Sequence, residues 1–295
     1  MNKSKKNKTT KNNNNKKKFK QLKCAPRTRK YDYTCFSRVK LLRLKELWNM
    51  RHPDSLISVN NTKQIWNQLK NNLQDTCDNE SCWLKQNFSE NKIDKDKFKN
   101  IFRPFSPKSW NTNPNEWLSS IDINRVMKQY EHSYPNFEFI GPSPIDFDTH
   151  FHDGRCVWEE LCKFDYKKKI NKKKDYIGVI FNLDPHDAPG SHWVSLFIDL
   201  RKNNIFFFDS VGDYPHVNIN TFVERLKNQA NSEGKKIKYF INKIQHQKGN
   251  SECGVYSLYF IIEMLNGRDF DYFQGKRIPD KDIEKFRKIY FNTSI

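Results

Sequence analysis

No stretch of this 295-residue chain comes near the 18 consecutive apolar residues that a membrane-crossing helix requires, so no membrane span is expected. The first apolar cluster arrives only in the thirties, so no secretory signal is expected at the amino end, and the setting predicted is intracellular. A disulfide framework is missing too. The seven cysteines, at 24, 35, 77, 82, 156, 162 and 253, are odd in number and follow no framework spacing, which predicts free thiols in a reducing compartment. Acidic residues are absent altogether from residues 1–30, which hold thirteen Lys or Arg. Of the net charge of +19, that segment carries +13 and leaves only +6 for the rest, so the chain reads as a nearly balanced domain behind a basic tail.

The tail is Lys/Asn low complexity and is predicted to be disordered over 1–30. It suits an arm for nucleic acid or another polyanion, and equally a solvated end in a chain rich in Lys and Asn throughout. Residues 31–108 are predicted as a helical region. Val39, Leu42 and Leu47 fall near helical spacing, and Ile65, Trp66, Leu69 and Leu73 form a second stripe behind Thr62 as N-cap. The proline-bearing segment 103–117 reads as a connector, and Ile123, Val126, Met127 and Tyr130 mark a further helix before Pro135, Pro142 and Pro144 break the chain.

Beyond about 150 the period changes. Residues 176–183, 192–200 and 204–211 are short apolar runs rich in β-formers, followed by an amphipathic helix ending near Gly234 and a fourth strand, "IKYFINKI". Residues 253–267 are apolar nearly all round and read as a buried helix closed by Gly267. The expected fold of 109–295 is α+β: a central mixed sheet packed on a buried helix that starts at Cys253, with the helical region N-terminal to it.

A cysteine nucleophile needs a favoured thiolate, a base within reach and donors for an oxyanion. Cys253 opens the buried helix, whose N-terminal dipole and free N–H groups favour the first and third. Gly254, beside it, is expected to bind substrate by removing side-chain bulk where a substrate backbone must approach. His192 starts one strand and Asp209 ends the next, so a hairpin pairing would set carboxylate beside imidazole. Gln247, six residues before Cys253, is the candidate second oxyanion donor.

The segments "GSHW", "FFFDS" and "QKGNSECG", with seventeen residues from His192 to Asp209 and six from Gln247 to Cys253, resemble the ubiquitin-like-protein (SUMO) proteases and adenovirus-type proteases. The likeness is plainest over 176–266 and weaker back to 115. By position it implies His192 as base, Asp209 as its partner, Gln247 as oxyanion donor and Cys253 as nucleophile. It also implies that Trp193 and Trp117 clamp a Gly-Gly stretch of a protein substrate, although Ser119 and Ser120 stand where the family often has Asn-Asp. The stretch "NLDPHDAPGSHWVSLFID" and the Lys/Asn-rich composition are most similar to the viral branch, from large nucleocytoplasmic DNA viruses. That branch implies cleavage of structural polyproteins during virion maturation, in the virion and host cytoplasm.

Three other readings stay open: an isopeptidase removing a ubiquitin-like modifier, an acetyl-CoA-dependent acyltransferase with a similar His-acid-Cys set, and a nucleic-acid-binding scaffold with a relic site. No cofactor and no metal is expected. The Cys77–Cys82 spacing falls within zinc range but has no second pair of ligands at a fitting distance, and Cys156 and Cys162 do not decide the matter. His186 and His246 are expected to be loop histidines, and 163–175 a charged loop.

Overall fold

The computed structural model describes residues 18–28, 30–94, 98 and 100–294, so most of the expected tail lies outside the described residues. Residues 18–28 are not an extension of that tail. Phe19 packs on the rings of Trp66 and Trp83, and Leu22 and Ala25 are buried. Contacts divide the chain into one unit of residues 1–22 and 28–101 and another of 23–27 and 102–295; the boundary expected at 108/109 lies beyond this division.

The first unit holds α1 (Arg38–Arg51), α2 (Thr62–Asn72) and α3 (Glu80–Trp83). Helix α1 buries Leu41, Leu44, Leu47 and Trp48, whereas Val39 is 75% exposed. The expected stripe of Val39, Leu42 and Leu47 is corrected: the packed face is the one that also buries the Trp48 indole, and it shares only Leu47 with that stripe. In α2, Ile65, Trp66 and Leu69 are buried as expected, but the cap is Asn61, whose side chain accepts from the N–H groups of Lys63 and Gln64. Glu80 is buried with Thr34 and Trp66 donating to it, and burial raises its pKa.

The second unit is built on five strands: β1 (Phe137–Pro144), β2 (Tyr176–Asn182), β3 (Trp193–Asp199), β4 (Asn204–Phe208) and β5 (Lys238–Ile241). They lie in chain order across one mixed sheet, parallel at both edges and antiparallel between β2, β3 and β4. The helices are α4 (Ser120–Ser133), α5 (Glu159–Cys162), α6 (Tyr166–Asn171), α7 (Val217–Ser232), α8 (Cys253–Leu265), α9 (Asp271–Gly275) and α10 (Asp280–Tyr290). Among the described residues no helix is long and apolar enough to cross a membrane.

Both faces of the sheet are covered, which is why every residue of β3 is buried. Alternation sends Trp193 and Phe197 of β3 and Phe208 of β4 toward α4 and α8. Val194, Leu196, Ile198, Ile205 and Phe207 go to the opposite core with α7 and residues 145–166. Strand β1 was not foreseen, because Pro142 and Pro144 argue against a strand; it sits at the sheet edge, where its pairing with β2 is irregular between Ile140 and Ser143. Residues 166–171, expected as a charged loop, form α6 because Asp165 caps it, and Lys169 is buried against Glu138. The expectation of free thiols is also corrected. Cys77–Cys82 and Cys156–Cys162 are disulfides, each closed by a local turn that brings the Cα atoms to 5.5 and 6.3 Å, and Cys253 is a free thiol.

Candidate active site

Four chain segments converge at the end of the sheet where β3 begins and β4 stops. His192 immediately precedes β3 and Asp209 immediately follows β4, so the antiparallel pairing of these strands sets the two side by side. The His192 Nε2–H donates to Asp209 Oδ1 at 2.7 Å, with the imidazole 20% and the carboxylate 2% exposed. Cys253 lies on the same ring as a second group that favours its charged form. Burial opposes charge on the imidazole. The bond to Asp209, the Asp209 charge and the neighbouring Cys253 outweigh it, and the pKa is pushed up to about 10. The ring is therefore disposed to hold a proton beside the Asp209 carboxylate.

The ring is aimed by its neighbours in the chain. Asn182 Oδ1 accepts the N–H groups of Asp184 and Ser191, and Asp184 accepts Gly190 N–H and Ser191 Oγ–H. Gly190 has φ +97°, and a Cβ there would lie 2.6 Å from Asn182 Nδ2, so this turn into His192 requires glycine. Asp209 is fixed in turn by the fully buried Asn242, which accepts Asp209 N–H at 2.8 Å and donates to Asp209 O at 3.1 Å.

Cys253 is the first residue of α8 and 2% exposed. The loop before it is tied down from α10, a connection the sequence did not signal. Asp280 accepts the N–H groups of Lys248 and Gly249. Seven residues further along the same helix, Arg287 pairs with buried Glu252 at 2.8 Å and donates to the carbonyls of Ser251 and Glu116. Removing one partner of an ion pair this deeply buried is strongly destabilising, so the pair holds the approach to Cys253 in one geometry. Neither residue could be found from local spacing, since each lies more than 30 positions from its partner.

Gln247 is buried. Its Oε1 accepts Ser210 Oγ–H at 2.7 Å and its Nε2 donates to Gly249 O at 2.8 Å, which uses one of its two amide protons. Trp193 is 7% exposed, with Nε1–H donating to Leu118 O at 3.0 Å. Trp117 is 44% exposed. Both indoles line a groove of about 560 Å³ whose other walls include Pro144, Trp158 and Pro189. Gly254 faces its own chain: an added Cβ would meet Leu118 Cβ at 3.0 Å and Trp193 Cδ1 at 3.2 Å, so this glycine lets the Trp193 platform seat on α8. His186 pairs with Asp146 at the surface, as a loop histidine does. His246 is fully buried, bonded to Phe273 O and Ile278 N–H, and burial lowers its pKa. It is a core group rather than the expected loop histidine.

A family model described as the Ulp1 protease family, C-terminal catalytic domain, matches residues 121–294, more than half of the chain. The chain belongs to the Ulp1 protease family of cysteine peptidases. It is 40% identical over 179 residues to a protein described as a thiol protease of Acanthamoeba polyphaga mimivirus, covering 60% of this chain and 57% of the relative's length. It is 26% identical over 261 residues to a cysteine protease of African swine fever virus, covering 83% of this chain and 94% of that one. The crystal structure of an African swine fever virus protease matches with a TM-score of 0.66 at 23% identity, over 92% of this chain and 96% of that one, which shows a shared fold.

Proposed function

We propose that the chain is a cysteine endopeptidase that cleaves after Gly-Gly-type sequences and processes viral structural polyproteins during virion maturation, in the virion and host cytoplasm. The observation that supports it best is the 2.7 Å bond from His192 to Asp209 beside the free thiol of Cys253 at a helix N-terminus. Cys253 sulfur attacks the peptide carbonyl carbon as a thiolate, the proton having passed to His192. The tetrahedral oxyanion is met by backbone N–H groups at the start of α8 and by the remaining Gln247 amide proton. Imidazolium His192 gives its proton to the leaving amine, and water, deprotonated by the same ring, hydrolyses the thioester. Asp209 keeps the ring oriented and supports its charge throughout. The glycine preference rests on the groove shared by Trp117 and Trp193, whose flat indole faces suit a substrate backbone without side chains.

A second reading, removal of a ubiquitin-like modifier by the same chemistry, is supported by the naming of several African swine fever virus relatives as SUMO-1 cysteine proteases. The basic segment 1–30 as a nucleic-acid arm is a proposal of sequence alone. The deciding experiment treats the protein with a thiol-reactive probe carrying a Gly-Gly recognition element. Fast labelling that is lost in Cys253→Ala and His192→Ala is expected. Slow labelling shared among other thiols, and unchanged in His192→Ala, would overturn the endopeptidase and isopeptidase readings together. Incubation with modifier conjugates and with virion polyprotein then separates the two.

A further inference from the structure

Away from the catalytic thiol, a second sulfur–imidazole cluster lies in the segment that forms the groove wall. His150, Cys156 and Cys162 bring their ligand atoms within 4.8 Å of one another. The backbone builds this cluster. Residues 149–157 form a small hairpin, with Val157 N–H donating to Thr149 O and Phe151 N–H to Arg155 O. The His150–Cys156 bridge between those two bonds is a non-hydrogen-bonded antiparallel pair, the position where facing side chains come closest. The chain then turns into α5, whose last residue is Cys162, and that one-turn helix delivers the second sulfur to the same spot. His150 Nε2 stands 3.6 Å from Cys156 Sγ and 3.8 Å from Cys162 Sγ.

We propose that, once the Cys156–Cys162 disulfide is reduced, these three residues form a binding site for a zinc-class divalent metal ion. In a tetrahedral zinc site with Zn–S of about 2.3 Å and Zn–N of about 2.0 Å, nitrogen and sulfur ligands lie about 3.6 Å apart and two sulfurs about 3.8 Å apart. Both nitrogen–sulfur separations are already near that value, so binding needs only the two sulfurs to part. The donor set, two thiolates and an imidazole, is what a borderline-soft ion selects over magnesium or calcium. Three protein ligands leave the fourth position for water.

Bound metal and disulfide are alternative states of the same two sulfurs. A thiol reductant of the R–SH class converts the disulfide to two thiols and is itself oxidised to R–S–S–R, which balances two electrons and two protons. Metal binding then displaces the two thiol protons. Either state ties the hairpin to α5 and so fixes the two residues between them, Val157 and Trp158, which line the groove beside Trp117 and Trp193. The site is independent of how Cys253 acts.

The test uses the full chain carrying Cys253→Ala, so that the thiol beside His192 cannot bind metal. The protein is reduced with a phosphine, loaded with zinc, desalted and assayed for metal content. About one zinc per chain is expected, falling at least fivefold with added His150→Ala, Cys156→Ser or Cys162→Ser, and unchanged with Cys77→Ser/Cys82→Ser. Cobalt loading of the same proteins should give the thiolate charge-transfer and intense tetrahedral bands, lost in the same three variants. His150 is exposed, so its variant folds and keeps the comparison fair. No retained zinc in the reduced parent overturns the proposal, as does zinc that survives all three substitutions or a cobalt spectrum without thiolate bands.

Discussion

Replacing Asp209 by Asn keeps the shape of the carboxylate but removes its charge, and the effect should be read directly on His192. The ring's pKa of about 10, against an ordinary 6.5, corresponds to a preference for the charged form on the order of 4 to 5 kcal/mol. An adjacent opposite charge typically supplies about 1 to 3 units of such a shift, and here the carboxylate is 2% exposed and poorly screened. The His192 titration, followed by NMR of its ring carbon-bound protons between pH 5 and 11, should drop by about two units in Asp209→Asn. The alkaline limb of peptidase activity should move with it. Stability should follow the same group. A histidine whose pKa is raised on folding stabilises the fold fully below about 6.5 and loses that contribution as pH rises through about 10. The denaturation difference between wild type and Asp209→Asn should therefore be largest below about pH 8 and disappear by about pH 10. A midpoint that stays within about half a unit of wild type would refute the assignment of the raised pKa to Asp209.

Arg287→Met strands Glu252 in the interior and should cost about 3 to 5 kcal/mol in urea denaturation, whereas the double variant with Glu252→Gln should recover much of it. Gly254→Ala puts a methyl group 3.0 Å from Leu118 Cβ and should cost about 1 to 3 kcal/mol while raising KM for Gly-Gly substrates through a displaced Trp193. Trp117→Ala, at a half-exposed side chain, should change stability by less than about 1 kcal/mol yet weaken substrate binding; equal kcat/KM in both proteins would remove Trp117 from the groove's function. Ser210→Ala frees Gln247 Oε1 from its buried partner and should lower kcat by about tenfold, equivalent to about 1.4 kcal/mol, with little change in KM.

Local chemistry was written plainly in the chain where the pattern is periodic or the order of residues is distinctive. Ile123, Val126, Met127 and Tyr130 are all buried on α4, as their spacing implies, and the three runs ahead of Gly212 are β2, β3 and β4. His192 and Asp209 could be paired from sequence because consecutive antiparallel strands put the start of one beside the end of the other. Cys253 at a helix start was legible for the same local reason. Strand β1 was not, because its prolines contradict its state and only pairing to β2 at the sheet edge sustains it. The stripe expected on α1 through Val39 and Leu42 was wrong, because packing chose the face that buries Leu41, Leu44 and Trp48.

Tertiary structure alone decided whatever depends on groups far apart in the chain. Asp280 and Arg287 reach back to the loop before Cys253, Asn242 reaches Asp209, and Ser210 reaches Gln247, each across 30 or more residues. Hydrogen bonds and buried ion pairs leave no periodic trace in sequence, since they depend on where two elements meet rather than on how either repeats. The same holds for Cys156 and Cys162, whose spacing decided nothing until a hairpin and one helical turn set both sulfurs beside His150. Sequence singled out the residues proposed to carry the chemistry; the fold determined what holds them still.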